Sequence, residues 1–165
     1  SKYFALTGWR LGWAVVPTTL SPRIKALSES MFVSPPAPSQ HLALEIFNHQ
    51  EVLDSYVTRY NENLKILKRE LPKAGFHKLS DTKGAFYLYA DIAHLTDDSE
   101  SFCKELLDGP KVAMTPGIDF DVNRGHQTVR ISFAGKTEDI LEACERLKKW
   151  YEARQESPEP VSAKA

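Results

Sequence analysis

Apolar and polar positions along this chain change period several times, and each change marks an element. Leu11 to Val16 is a short, nearly unbroken apolar run closed by Pro17, which predicts a buried strand. Ser21 and Pro22 then offer an N-cap and a first helical residue, and Ile24, Leu27, Met31 and Phe32 follow at helical spacing. Pro35, Pro36 and Pro38 predict a break, since proline is excluded from a helix interior. A second helix is expected from about Gln40 to Asn48, carrying Leu42, Leu44, Ile46 and Phe47. From about Val52 to Leu71, the positions Leu53, Tyr56, Tyr60, Leu64, Leu67 and Leu71 recur every three or four residues. That spacing predicts a long amphipathic helix closed by Pro72 and Gly75, with Arg59, Lys65, Lys68 and Arg69 on its solvated face.

Beyond Gly75 strands and helices alternate, which predicts an α/β fold. Strands are expected across Phe86 to Ile92, Val112 to Thr115 and Thr128 to Phe133, with a helix from Ser99 to Leu107. A last helix has Thr137 as N-cap, Glu138 and Asp139 in its first turn, and Lys148 and Lys149 near its end. Its stripe of Ile140, Cys144, Leu147 and Tyr151, flanked by Leu141, Ala143 and Trp150, is set to pack on the sheet. Residues 155–165 lack periodicity, contain Pro158 and Pro160, and read as a disordered tail.

Composition narrows the function classes. Lys plus Arg number 21 against 22 for Asp plus Glu, spread along the chain, which argues against a nucleic-acid partner. No apolar run reaches membrane-spanning length, so no membrane partner is expected. Cys103 and Cys144 have no metal-ligand spacing and read as buried, reduced thiols of a cytoplasmic protein. His41, His49, His77, His94 and His126 suggest neither a metal site nor a Ser/His/Asp arrangement, and Asp97, Asp98 and Glu100 read as an acidic helix entry.

The chemistry concentrates in the first twelve residues, Ser-Lys-Tyr-Phe-Ala-Leu-Thr-Gly-Trp-Arg-Leu-Gly. Lys2 is an amine that can form a Schiff base with a carbonyl, and Arg10 is a permanently charged fork suited to a phosphate. An aldehyde and a phosphate on one small ring describe pyridoxal 5′-phosphate (PLP). Gly8 and Gly12 relieve the backbone around the pair. A second constellation is Val129-Arg130-Ile131-Ser132-Phe133, where an arginine inside an apolar strand requires an anionic partner. That partner is either a carboxylate of the chain itself or one brought by a ligand.

The Lys2 segment resembles the cofactor-lysine signature of the class I/II aminotransferases, fold-type I PLP enzymes. That pattern places a small residue, an apolar residue, Gly, Arg, an apolar residue and Gly or Ala at the spacing of Ala5, Leu6, Gly8, Arg10, Leu11 and Gly12. The resemblance implies that Lys2 holds the cofactor and moves the substrate proton, that Arg10 binds its phosphate, and that Ser1 is a further cofactor contact. It also implies that Arg130 grips the substrate α-carboxylate. Lys83-Gly84-Ala85-Phe86-Tyr87-Leu88 resembles the family's Gly-Ala-Phe-Tyr segment, where the small domain begins to line the substrate entrance. Phe86 and Tyr87 either face the substrate or, the preferred reading, lie in the core. Thr115-Pro116-Gly117-Ile118-Asp119-Phe120 resembles its Pro-Gly-x-x-Phe loop, which continues with Gly where this chain has Asp121. That departure bears on the turn geometry of the loop rather than on its chemistry, since Asp also tolerates a left-handed conformation.

The expectation is therefore the C-terminal portion of a PLP-dependent aminotransferase, because the chain opens on Ser1 inside the motif and the family's lysine lies past mid-chain. Residues 1–50 are expected to close the large PLP-binding domain, 51–154 to form the linking helix and small domain, and 155–165 the tail. The intact protein is expected to be a cytoplasmic homodimer using an L-amino acid and a 2-oxo acid, with this portion alone inactive. A carbon–sulfur lyase, an α-oxoamine synthase and a non-catalytic binding remnant remain open alternatives.

Overall fold

A computed structural model describes residues 1–156 of the chain. They form five helices, α1 (Ser21–Phe32), α2 (Ala37–Ile46), α3 (Gln50–Glu70), α4 (Ser99–Asp108) and α5 (Thr137–Glu156). Four strands accompany them, β1 (Lys78–Leu79), β2 (Tyr87–Asp91), β3 (Thr115–Pro116) and β4 (Thr128–Ser132). The α/β class expected from the alternation is the class observed. The chain divides into two compact units, the boundary falling within α3 between Thr58 and Arg59.

The first unit is helical and small. Its buried positions include Leu6, Ser39, Ala43 and Leu53. Leu11 to Val16 is not a strand: the segment has no ladder partner, and Val15 is 99% exposed. An apolar run becomes a strand only where a neighbour accepts its backbone hydrogen bonds, and the described residues of this unit include none. The cap of α1 lies at Leu20 without a side-chain hydrogen bond, so Ser21 is inside the helix and Pro22 in its first turn. Pro38 likewise sits in the first turn of α2, where a missing N–H costs nothing, and the helix starts at Ala37 rather than Gln40. None of the residues of α1 is buried; Leu27, Met31 and Phe32 face solvent.

The second unit is a four-stranded antiparallel sheet in the order β1-β2-β4-β3. Leu88 and Ala90 of β2 and Val129 and Ile131 of β4 point to one face, where they meet Leu67, Leu71, Phe76, Phe102, Leu106, Ile140, Cys144 and Leu147. Burying each large apolar side chain in such a layer stabilises the fold by about 1.5–3 kcal/mol. The alternation of two-sided strands then assigns Tyr87, Tyr89 and Asp91 of β2, and Thr128, Arg130 and Ser132 of β4, to the opposite face.

α3 ends in a 3₁₀ turn at Leu71–Ala74, and Gly75 takes a left-handed φ of 89° with its Cα against the Tyr151 ring. β3 is shorter than expected, confined to the sheet edge where Pro116 is tolerated. β1 is too short to leave a periodic trace in the sequence. Thr137 is the first residue of α5 rather than a cap: its hydroxyl donates to Asn63 Oδ1 (2.8 Å). α5 continues through Gln155 and Glu156, and the rest of the expected tail, 157–165, lies outside the described residues.

Candidate active site

Ser1 to Arg10 is a run of turns rather than a strand or helix. Ala5 N–H donates to the Lys2 carbonyl (3.2 Å), Leu6 N–H to that of Ser1 (2.9 Å), and Trp9 N–H to that of Leu6 (3.1 Å). Several contacts anchor the segment. Leu6 is buried, and the Ser39 hydroxyl donates to the Trp9 carbonyl (2.7 Å). Phe4, Trp13 and Phe47 pack their rings at centroid distances of 5.0–5.7 Å. Tyr3 donates to Asp54 Oδ1 (2.6 Å), and that hydrogen bond pushes its phenol above the ordinary range. Ser1 and Lys2, ahead of these anchors, and Arg10, between Trp9 and Trp13, are exposed.

Arg10 adopts φ 54°, a left-handed backbone that costs a non-glycine residue about 1–2 kcal/mol. Its Nη1 donates to the Thr7 carbonyl (2.9 Å), which aims the guanidinium while leaving further N–H donors. Around Gly8 and Gly12 nothing lies within 4 Å of an added Cβ, so the backbone beside Lys2 and Arg10 is open to a close-approaching group.

Arg130 belongs to the second unit. It stands at the centre of β4, paired with Tyr89 on one side and Thr115 on the other. Its Cζ lies 4.3 Å from the Tyr87 ring centre and 3.9 Å from that of Phe120. Among the described residues no carboxylate approaches it within salt-bridge distance. The structural ion pair that the sequence left open is therefore not formed there. Tyr89 is pushed above the ordinary phenol range, chiefly by burial and further by Asp121 and Asp119, while the Arg130 charge opposes the shift.

Phe120 and Tyr87 were not legible as partners of Arg130. Tyr87 was expected in the core, but it lies half-buried on the opposite sheet face, whereas Phe86 does pack against the core. The usable signal was the shared alternation of Tyr87, Tyr89 and Arg130, which needs the β2–β4 register before it becomes a contact. Where the family has Gly, the Asp121 backbone is not left-handed. Its carboxylate instead accepts from Asn123 N–H (2.9 Å) and Arg124 N–H (3.1 Å), and these bonds hold it below the usual carboxylate range. Among the described residues no cluster of three metal-binding side chains exists. No described helix is long and apolar enough to cross a membrane.

The chain matches the family described as aminotransferase class I and II over residues 1–147. It is 44% identical over 152 residues to valine–pyruvate aminotransferase of Mycobacterium tuberculosis, covering 91% of this chain and 39% of that protein. Aspartate aminotransferase of Pyrococcus horikoshii is 32% identical over 152 residues, with 90% and 39% covered. A solved aminotransferase structure from Mycobacterium tuberculosis superposes with a TM-score of 0.86 at 42% identity, over 92% of this chain and 40% of that one. The chain thus spans about two-fifths of the length of these relatives. With the match running through the Lys2 segment and on to α5, the chain belongs to the class I and II aminotransferase family.

Proposed function

We propose that this chain is the C-terminal portion of a PLP-dependent aminotransferase that transfers an amino group from an L-amino acid to a 2-oxo acid. The observation that carries this reading is Arg130, a strand arginine flanked by two rings and without a carboxylate partner among the described residues. A guanidinium so placed retains its N–H fork for the carboxylate that every α-amino acid and 2-oxo acid shares.

The donor set of the first segment fits PLP in kind. Lys2 offers the only chemistry there that can hold an aldehyde covalently, and exposed Arg10, steered by Thr7, offers a planar fork for the phosphate. Ser1 adds a hydroxyl next to Lys2. When bound, PLP supplies the electron sink that lets the substrate Cα–H bond ionise. The Lys2 amine, once neutral, would take the proton from Cα and return it as general acid. Arg130 would hold the substrate carboxylate through two parallel N–H bonds. Residues 1–50 are read as the end of the large domain and 51–154 as the linking helix and small domain. The exposed apolar positions of α1 support burial against further protein, including a homodimer partner. Buried free Cys103 and Cys144 support a cytoplasmic location.

The test uses the full-length enzyme carrying this chain, loaded with PLP and given valine, aspartate or tyrosine with pyruvate or 2-oxoglutarate. Formation of one new amino acid per amino acid consumed is the expected result. Ammonia release without an amino-acid product would overturn the reading in favour of lyase chemistry.

A further inference from the structure

We propose that Tyr87 and Phe120 are positioning residues that clamp the Arg130 guanidinium and so fix the plane in which it meets the substrate carboxylate. The inference rests on the reading of Arg130 as the carboxylate-binding residue and deepens it.

The Arg130 Cζ stands over both rings, 4.3 Å from the Tyr87 centre and 3.9 Å from that of Phe120. Both contacts are made through ring faces, which take none of the guanidinium N–H donors. A guanidinium donates only in its own plane, so holding that plane also holds the two parallel bonds that a carboxylate accepts. Rings are suited to this task because they attract the cation without competing for its N–H groups. A carboxylate at either position would neutralise the charge that the substrate is to meet.

The two rings arrive by different routes. Tyr87 is carried by β2, on the same sheet face as Arg130 and next to its cross-strand partner Tyr89. Its placement starts at the turn before β2, where Ala85 adopts a left-handed φ of 57°. Phe120 comes from the 117–127 loop, which is cross-braced at several points. Phe120 and Asp121 N–H groups donate to the Gly117 carbonyl (2.9 and 3.0 Å), and Gly125 N–H donates to that of Asp121 (2.9 Å). Arg124 Nη2 reaches Asp91 Oδ2 on β2 (3.1 Å), tying the loop to the strand next to Arg130. Gly125 passes so close to Ile118 that an added Cβ would lie 2.5 Å from its Cα. Yet the Phe120 ring that this bracing delivers is still 50% exposed. It lies over the Arg130 guanidinium at 3.9 Å, with the Tyr89 ring edge-on at 6.4 Å.

The experiment compares Phe120→Leu, Phe120→Tyr, Tyr87→Leu, Tyr87→Phe and Arg130→Lys in the full-length holoenzyme. For Phe120→Leu and Tyr87→Leu, KM for 2-oxobutyrate and the matching amino acid should rise about tenfold, equivalent to ~1.4 kcal/mol, with kcat nearly unchanged. The half-reaction with butylamine, which lacks a carboxylate, should not change, and Phe120→Tyr and Tyr87→Phe should restore KM. Equal losses for butylamine and the amino acid would mean a structural role and overturn the clamp. Unchanged KM in both leucine variants, with KM raised in Arg130→Lys, would overturn the clamp but keep Arg130 as the carboxylate residue. Unchanged KM in Arg130→Lys would instead remove the reading beneath it. Should a leucine variant fail to fold, the wild-type protein decides: the Arg130 Nε–H proton should resonate upfield of the other arginines through ring currents. An ordinary chemical shift there would overturn the clamp.

Discussion

Asn63 Oδ1 accepts a hydrogen bond from the Thr137 hydroxyl (2.8 Å) across 74 positions of sequence. The same fully buried amide donates from Nδ2 to the carbonyls of Phe133 (3.0 Å) and Gly135 (3.1 Å). One side chain on α3 thus satisfies the loop between β4 and α5, where the ladder has ended and the helix has not begun. Asn63→Leu strands the buried Phe133 carbonyl, which costs about 1–3 kcal/mol. It also removes the donor or acceptor of the Gly135 and Thr137 bonds, which are only partly buried and which water can partly replace. The expected loss of stability is about 2–4 kcal/mol by urea unfolding. Thr137→Ala removes one bond and should cost less. A neutral Asn63→Leu would show that water repairs the loop.

What the sequence revealed and what it hid follow from the range of the interactions. α3, α4 and α5 were readable because amphipathic spacing is local, and Leu53, Leu67, Leu106, Ile140 and Leu147 are buried as that spacing requires. The segment 11–16 misled because an apolar run does not state who pairs with it. Asn63 gave no signal: one polar residue on a helix face looks solvated until the loop it serves is known. At the candidate site, residue type, spacing and the family resemblance single out Lys2, Arg10 and Arg130 as candidates. Phe120 and Tyr87 required the β2–β4 register and the fold of a loop separated from Tyr87 by more than thirty positions.

Gly75 offers a test of backbone constraint. Its φ of 89° is left-handed, and an added Cβ would lie 2.5 Å from the Tyr151 ring. Gly75→Ala combines a conformational cost of about 1–2 kcal/mol with displacement of that ring. The double variant Gly75→Ala with Tyr151→Ala should recover part of the loss, because the ring clash is gone and the backbone strain remains. Full additivity of the two single effects would show that the ring does not constrain the turn.

Burial pushes the thiols of Cys103 and Cys144 up to about 11. A thiol is neutral below its pKa, and an unfolded cysteine titrates near 8.5. The raised folded value therefore favours folding of the neutral form: the stability is fully present below about 8.5 and is lost progressively as pH rises toward 11. The urea midpoint should fall between pH 8 and pH 10.5, and less so in Cys103→Ala with Cys144→Ala. Both thiols should also resist iodoacetamide in the native state at pH 8 and react once unfolded. An unchanged slope in the double alanine variant would mean that other groups account for the alkaline loss.

Lys2 and Arg10 are separable because their proposed tasks need different properties of a cation. Lys2 must be able to lose its proton, since only a neutral amine holds an aldehyde or abstracts from Cα. Lys2→Arg keeps the charge in place but cannot deprotonate in the working range. Turnover of the full-length holoenzyme should fall by about a thousandfold or more, the order that loss of a general base costs. The visible absorbance of the linked cofactor should vanish, and borohydride reduction with peptide mapping should no longer label this segment. Arg10 has the converse requirement. Arg10→Lys keeps a positive charge but loses the planar fork, so PLP affinity should drop by about ten- to a hundredfold, the scale of one charge-assisted bidentate contact at ~1.5–3 kcal/mol. At saturating PLP, kcat should recover to near the parent value, because Arg10 holds the phosphate end and moves no proton. Two results would count against this division of labour: a borohydride label on a lysine other than Lys2, or an Arg10→Lys variant whose kcat stays low at any PLP concentration.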